Sequence, residues 1–170
     1  MKKLNLGCGL DYREGWVNLD SYTKADVKWD LNKFPYPFRD NTFDYIHASQ
    51  VIEHLDPLEN VMNEIHRILK NNGKVEIKVP YFRSSSAFIF GHKTFFIWGT
   101  FDFFTDGKIL DEHNPGFKPL FKYVKRKLKF RKIYRIIGIS LFAKLFPQIY
   151  EDFLSQIFPA GGYEVILEKK

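Results

Sequence analysis

The sequence is poor in cysteine, in long apolar runs and, over one stretch, in acidic residues. The single cysteine, Cys8, excludes an internal disulfide framework and a cysteine-rich zinc site, and we expect no metal centre. No window approaches the roughly 20 uninterrupted apolar residues that a membrane-spanning helix needs, and the N-terminus lacks the pattern of a signal peptide. These absences predict a cytoplasmic protein without a transmembrane segment.

Acidic residues are missing between His113 and Tyr150, where the chain carries ten lysine and arginine residues. The net charge of the whole chain is +6, so the remainder of the sequence is net acidic. Most of these cations fall in segment 118–135, which predicts an anionic partner: a membrane surface, nucleic acid or an acidic substrate. A solvated lysine-rich face without any partner is the more common alternative.

A helix between two short strands predicts an α/β fold. Apolar residues recur at three- and four-residue steps over Leu58–Leu69, which is typical of one buried helix face. Asp56 is placed to cap this helix, and Pro57 suits its first turn. Strands are predicted on either side, at Phe43–Ala48 and Lys74–Val79. Such a βαβ unit aligns its two strands in parallel.

The other runs complete a single domain over residues 1–170, since no linker or internal repeat interrupts them. The segment Tyr81–Phe121 is dense in phenylalanine and glycine, and we interpret it as a helix-containing insertion over the carboxyl ends of the strands. Further helices are predicted at Ile133–Phe146 and Gln148–Phe158. Further strands are predicted at Lys3–Leu6, Trp16–Leu19, Ala25–Trp29, Phe121–Phe130 and Tyr163–Leu167.

Two glycines after the first strand and aspartates after the next two suggest a nucleoside site. Gly7 and Gly9 let the backbone approach a ligand closely and aim amides at an anion, either a carboxylate or a pyrophosphate. Asp20, at the end of the second strand, can accept both hydroxyls of a ribose. Asp30 can receive an adenine amino group while Leu31 packs on the ring. Taken singly, each residue equally suits an ordinary turn, cap or loop.

Together, four sequence blocks resemble the class I methyltransferases that depend on S-adenosylmethionine (SAM), and most closely the type 11 group. The blocks run in order from Lys3 to Pro80: LNLGCG, GWVNLD, WDLNKFPYPFRDNTFDYIHASQVIEHL and VMNEIHRILKNNGKVEIKVP. The resemblance implies a Rossmann-like fold with a mostly parallel, seven-stranded sheet and an antiparallel last strand. Residues 1–80 would bind SAM, and residues 81–170 would form the acceptor-side insertion and the C-terminal strands and helices. S-adenosylhomocysteine would be the product.

The resemblance also implies a set of cofactor-binding residues at the ends of the first four strands. Asp20 would bind the ribose, Asp30 with Leu31 the adenine, and the segment after the fourth strand the methionine and sulfonium end. The full set is Asn5, Gly7, Cys8, Gly9, Asp20, Asp30, Leu31, Ala48, Ser49 and Gln50.

Two features depart from the family's pattern. Asn5 stands where the family usually has an acidic residue, so its contact with the SAM ammonium would lack charge assistance and be weaker. Only six residues, Leu10–Gly15, separate the glycine turn from the second strand. The usual first helix must therefore be missing or shortened to one turn.

Histidines and aromatic residues are the candidates for the acceptor side. Methyl transfer needs chiefly positioning, with a base only where the nucleophile must lose a proton. We favour His92 over His54 as that base, with His113 and Asp102 as further candidates, although a structural hydrogen bond is the commoner role of any one histidine. An apolar wall for the acceptor, or equally a core, is predicted at Phe88, Phe90, Phe95, Phe96 and Trp98.

Three classes of function fit these features. The first is a methyltransferase enzyme whose acceptor is a small molecule, a sugar or a lipid-linked glycan. The second is an RNA or other nucleic-acid methyltransferase that holds phosphates with the basic segment 118–135, although Ser49–Ile52 lacks the Asn/Asp-Pro-Pro-aromatic element common in base methylation. The third is a non-catalytic module that binds SAM or a nucleotide. A homodimer is compatible with each.

Overall fold

The computed structural model describes residues 1–105 and 119–170, and its centre is a seven-stranded sheet. The strands follow the order β3-β2-β1-β4-β5-β7-β6. Strands β1 to β5 pair in parallel, whereas β7 runs antiparallel to both β5 and β6. Their bounds are Lys3–Leu6 (β1), Val17–Asp20 (β2), Val27–Lys28 (β3), Phe43–Ser49 (β4), Leu69–Val79 (β5), Phe121–Lys129 (β6) and Gly162–Lys169 (β7). The predicted Rossmann-like sheet with an antiparallel last strand is confirmed.

The strand order reverses between β1 and β4. The chain moves outward from β1 to β2 and β3, then returns to place β4 on the other side of β1. In open α/β sheets, the crevice outside the carboxyl ends of the strands at such a reversal is where ligands bind. The fold therefore puts a ligand crevice next to the residues that follow β1 and β4.

The helices are shorter than predicted. The predicted helix Ile133–Phe146 is split at Gly138, whose φ of 84° ends one helix and begins the next. In residues 81–105 the insertion forms two 3-10 turns and no α-helix. No helix in the described parts of the chain is long and apolar enough to cross a membrane. The helices are α1 (Leu58–Ile68), α2 (Lys132–Ile136), α3 (Ile139–Leu145) and α4 (Pro147–Ile149), the last continuing as a π-helical turn over Tyr150–Leu154.

Helix α1 confirms the predicted apolar stripe but not its predicted ends. Its buried residues, Val61, Met62, Ile65 and Ile68, share one face toward the sheet. The N-cap residue is Pro57 and no side chain caps the helix, so the predicted cap by Asp56 is wrong. At the other end, β5 begins at once at Leu69, five residues before the predicted strand, and its pairing with β4 is irregular between Phe43 and Tyr45.

The connection from β1 to β2 is a loop held by two buried asparagines. The Asn5 Nδ2 donates to the Asp11 carbonyl oxygen at 2.6 Å and to the Asn18 Oδ1 at 3.2 Å. Asn18 in turn accepts from the Arg13 amide and donates to the Arg13 carbonyl, both at 2.9 Å. In a helix, the backbone groups of this segment would bond to one another. Here the two asparagine side chains provide their hydrogen bonds instead. The first helix is therefore absent, as its short loop predicted.

A buried histidine ties this loop to the sheet. The His47 Nδ1 lies 2.7 Å from the Glu76 Oε2, and its Nε2 lies 3.0 Å from an Arg13 guanidinium nitrogen. Since the guanidinium can only donate, the Nε2 accepts and the Nδ1 donates to Glu76, as in a neutral imidazole. Burial lowers the pKa of His47, although the Glu76 carboxylate opposes the shift.

At the other edge of the sheet, acidic residues of β7 pair with basic residues of β6. Glu164 accepts from Lys125 at 2.8 Å and from Lys129, and Glu168 pairs with Lys122 at 2.6 Å. These pairs offset part of the positive charge of the basic segment, while Lys118 lies outside the described residues.

We predict that Glu164→Gln removes part of the acid sensitivity of the fold. Burial favours the protonated form, but the bonds from Lys125 and Lys129 outweigh it and lower the pKa of Glu164 to about 2. Because the folded pKa lies below that of the unfolded chain, this stabilisation is complete above about pH 4.5 and is lost as the pH falls toward 2. The free energy of urea unfolding is measured as a function of pH between pH 2.5 and 4.5. Its slope should show that the variant takes up as much as about one proton fewer on unfolding than the wild type.

The matched control is Glu59→Gln on α1, an exposed carboxylate without an ion pair in the described residues. An equal change in proton uptake for both variants would show that the pairing with β6 does not set the acid sensitivity.

Candidate active site

Four strands end side by side at one edge of the sheet. Leu6 of β1 lies in register with Leu19 of β2 and with Ala48 of β4. The end of β2 is likewise in register with β3, since Asp20 pairs with Lys28. The structure therefore brings together, at one edge, the segments that the sequence predicted to bind the cofactor.

The glycine turn after β1 combines one crowded position with one open position. Gly7 and Gly9 both have positive φ, 65° and 51°. A Cβ at Gly7 would lie 2.8 Å from the Val51 Cβ, which is too close, whereas a Cβ at Gly9 would meet nothing within 4 Å. Gly7 is thus required by packing, and Gly9 borders free space into which a ligand can fit.

The turn is fastened to the end of β2 by a carboxylate. The Asp20 Oδ2 accepts from the Gly9 amide at 2.9 Å, and its Oδ1 accepts from the Tyr22 and Thr23 amides at 2.8 and 3.0 Å. Burial would raise the pKa of Asp20, but these backbone bonds outweigh it and hold the pKa below its ordinary value. Asp20 is therefore ionised and fixed in place.

This geometry changes the expected contacts of the turn. A carboxylate has about four acceptor sites, and three backbone amides already use three of those on Asp20. The Thr23 side chain is a further hydrogen-bond partner of Asp20, so at most one ribose hydroxyl fits where two were expected. The Cys8 amide donates to the Leu19 carbonyl at 3.0 Å, so the amides of Cys8 and Gly9 are both engaged within the protein and do not face an anion.

Among the other predicted cofactor residues, some are exposed at the edge and some are in the core. Asp30 and Gln50 are exposed and Ser49 is half-buried, so their polar groups can meet a ligand. Four predicted residues have buried side chains: Asn5, Cys8, Leu31 and Ala48. Leu31 is only 7% exposed, so little of it is available to pack on an adenine ring.

The two favoured histidines lie together beside this edge. The rings of His54 and His92 meet edge to face with centroids 4.5 Å apart. Each Nδ1 lies near a backbone carbonyl, His54 at 3.2 Å from Gly91 and His92 at 3.1 Å from Ala87. Because a carbonyl only accepts, both Nδ1 atoms donate. His54 ends the 3-10 turn that follows Val51, the residue packed on Gly7.

A buried glutamate next to His54 was missed in the sequence. Glu53 is 1% exposed, and neither carboxylate oxygen has a hydrogen-bond partner in the described parts of the chain. Burial raises the pKa of Glu53. In the sequence, its position in VIEHL is typical of a helical surface. Only its place beside His54 could have indicated a functional role for Glu53.

The remaining acceptor-side candidates differ in whether they are paired, described by the structure or exposed. Asp102 pairs with Arg126 at 3.2 Å and accepts from the Tyr123 hydroxyl at 2.6 Å, so it is a structural anchor and not a free base. His113 lies outside the described residues. Of the predicted apolar wall, Phe96 is core and Trp98 is half-buried, whereas Phe88, Phe90 and Phe95 are exposed.

A further groove lies at the opposite edge of the sheet, between β6 and α3. There the Arg126 guanidinium sits 4.2 Å from the ring centroids of both Trp98 and Tyr123. Strand β6 is separated from β4 by two strands, so this groove is not part of the edge described above.

The fold and its carboxyl edge define an α/β domain of the kind that binds nucleosides. Comparison with known proteins extends this result: residues 4–77 match the family described as a methyltransferase domain. A SAM-dependent methyltransferase from Archaeoglobus fulgidus superposes with a TM-score of 0.62 over 99% of this chain and 86% of that protein, at 20% identity. At that identity, the likeness establishes the fold alone.

Two curated proteins are similar over shorter stretches. An uncharacterised protein of Methanocaldococcus jannaschii is 51% identical over 61 residues, covering 36% of this chain and 27% of that protein. The sterol 24-C-methyltransferase of Schizosaccharomyces pombe is 51% identical over 56 residues, covering 33% of this chain and 14% of that enzyme. The matched part is therefore a small fraction of either relative.

These matches confirm three predictions from the sequence. The chain resembles the class I methyltransferases, it has their fold, and SAM is the cofactor of this class of enzyme. The assignment of individual residues to the cofactor and to catalysis stays a prediction.

We predict that Gly7→Ala destabilises the fold more than Gly9→Ala. Both changes force a side chain into the left-handed region, at about 1–2 kcal/mol. Gly7→Ala adds overlap with Val51, a stiff β-branched residue, at about 1–3 kcal/mol more. Urea unfolding of the two variants measures the difference.

The Val51→Ala background provides the control: it removes the two methyl groups but keeps the Cβ at 2.8 Å, so it should lower part of the cost of Gly7→Ala and leave that of Gly9→Ala unchanged. Equal costs for Gly7→Ala and Gly9→Ala would mean that packing on Val51 does not explain the glycine at position 7.

Proposed function

We propose that this chain is a SAM-dependent methyltransferase with its cofactor at the carboxyl edge of β1, β2 and β4. The observation that carries the proposal is the bond from the Gly9 amide to Asp20, which joins the two strand ends beside open space. A fixed, ionised carboxylate next to a side-chain-free turn suits a ribose that lies across the strand tips.

Each end of the cofactor has a group of matching chemistry at this edge. The remaining acceptor site of Asp20 takes one ribose hydroxyl, the exposed Asp30 takes the adenine amino group, and Ser49 with Gln50 lies at the methionine end. Gln50 has a φ of 55° and donates its side-chain amide to the Lys78 carbonyl at 3.2 Å, which holds that side chain at the edge. SAM, when bound, supplies a methyl group already activated by the sulfonium.

For the acceptor, we propose a molecule with an apolar part, such as a lipid-linked sugar or a hydrophobic small molecule. Large apolar side chains are exposed next to the histidine pair: Phe88 by 69%, Ile89 by 57% and Phe90 by 101%. Exposed apolar patches of this kind mark binding surfaces. The related Schizosaccharomyces pombe enzyme acts, by its name, on a sterol, which is consistent with a hydrophobic acceptor.

The nucleic-acid alternative is less well supported. Binding to phosphates requires free cations, and four of the nine in segment 118–135 already pair with acidic residues, which reduces the charge available: Lys122, Lys125, Arg126 and Lys129. A homodimer and an anionic partner stay predictions.

The cofactor proposal predicts that SAM and S-adenosylhomocysteine both bind in calorimetric titrations and that Asp20→Ala weakens both about tenfold or more. The variant loses a charge-assisted bond, which contributes about 1.5–3 kcal/mol. Asp152→Ala, an exposed carboxylate in the C-terminal turn, serves as the matched control. Circular dichroism verifies that each variant is folded.

Failure of the wild-type protein to bind either compound would overturn the cofactor proposal. Unchanged affinity in folded Asp20→Ala would overturn the ribose assignment alone.

For the acceptor, Phe90→Ser should lower incorporation of radioactive methyl from SAM into the organic-solvent fraction of a lipid extract several-fold. The change removes an exposed ring beside the histidine pair and leaves the cofactor edge intact. Phe153→Ser, at a similarly exposed ring far along the chain, should have little effect. Label that appears only in the aqueous fraction would contradict an apolar acceptor.

A further inference from the structure

Glu53, His54 and His92 bring three potential metal ligands to one point. One ligand atom from each residue lies within 4.8 Å of the other two. Glu53 and His54 are neighbours in the 3-10 turn after β4, while His92 comes from the aromatic insertion. From the sequence we expected no metal centre, since a single cysteine excludes a cysteine-rich zinc site.

The glutamate is the first reason to infer a ligand. Burial of a carboxylate without a partner is costly, and in the described residues both oxygens of Glu53 lack a hydrogen-bond donor. The insertion closes over it, since the Glu53 backbone carbonyl accepts from the Lys93 amide at 2.8 Å and from the Thr94 amide at 3.3 Å. The carbonyl of this residue is thus paired, whereas its carboxylate has no partner within the described parts of the chain.

The histidines supply an independent second reason. Metal-binding histidines usually donate the ring nitrogen that does not bind the metal to a carbonyl or carboxylate, which fixes the tautomer and the ring orientation. His54 and His92 both do so, through their Nδ1 atoms, to the carbonyls of Gly91 and Ala87. Each Nε2 is consequently the ring nitrogen that is left to coordinate a metal.

We propose that Glu53, His54 and His92 form a binding site for a divalent cation of the zinc type. Two imidazoles and one carboxylate are a known catalytic zinc ligand set, with bonds of about 2.0–2.2 Å and ligand atoms about 3.4 Å apart. The three ligand atoms lie within 4.8 Å of one another, so they would have to move closer together around the ion. His54 is exposed, which leaves a route for the ion to enter.

The position of the site gives the ion a role on the acceptor side, and this role rests on the proposed function. Three protein ligands leave a fourth position open for a water or an oxygen of the acceptor. A bound cation lowers the pKa of such a hydroxyl and orients it. The acceptor class is then an alcohol: its hydroxyl would lose a proton to solvent water, its oxygen would take the methyl as the S–CH3 bond of SAM breaks, and S-adenosylhomocysteine would leave. The histidines would bind the metal instead of acting as bases.

The test is a titration of zinc chloride into chelator-stripped protein, in competition with a chromophoric chelator. Wild-type protein should bind one zinc ion per chain. Glu53→Gln, His54→Gln and His92→Gln should each weaken binding about tenfold or more, since even loss of an outer-shell partner costs 10- to 100-fold. X-ray absorption of the zinc-loaded protein should show two imidazole ligands.

Glu59→Gln and His66→Gln on α1 are the matched controls and should bind zinc like the wild type. His54→Gln changes an exposed side chain, so it reports on the site even if the buried Glu53→Gln variant fails to fold. Wild-type binding below one equivalent, or ligand variants that bind like the controls, would overturn the metal site. SAM calorimetry on the same samples tests the cofactor separately, so failure of either proposal is distinguishable from failure of the other.

Discussion

The bond between the Gly9 amide and the Asp20 carboxylate is the constraint on which the candidate site depends. It links the turn after β1 to the end of β2 at 2.9 Å, and the lowered pKa of Asp20 keeps the carboxylate charged. No helix follows the glycine turn to fix its geometry. The side chains of Asn5, Asn18 and Asp20 take over that task, so a short loop can present the same edge as a longer connection.

At the other edge of the sheet, ion pairs have a comparable structural role. Strand β6 is basic and β7 carries Glu164 and Glu168, so antiparallel pairing brings opposite charges onto neighbouring positions. Cross-strand pairs of this kind stabilise a sheet edge and set its register. Some of the lysine and arginine residues that suggested an anionic partner therefore form ion pairs within the fold. A count of charges along the sequence cannot reveal these pairs.

Local patterns predicted the elements whose structure is locally determined. The periodicity of α1 and the bounds of β1 and β4 follow from alternation and spacing in the sequence. The split at Gly138 and the bulge before residue 74 depend on packing against other segments. For the site, chain order placed Asp20 and Gly7 at one edge, but only the fold shows that Asn5 and Ala48 face the core.

Glu53 illustrates why the sequence could not predict the whole site. A glutamate beside a histidine after a strand is ordinary, and its partner His92 lies on the far side of α1 and β5 in the chain. Natural sequences violate the rule against unpaired buried charge mainly where function requires it. Two amides of the insertion, those of Lys93 and Thr94, donate to the Glu53 carbonyl, and the same insertion carries the second imidazole, that of His92. The pairing of this insertion with the turn after β4 therefore brings together three side chains that lie apart in the sequence.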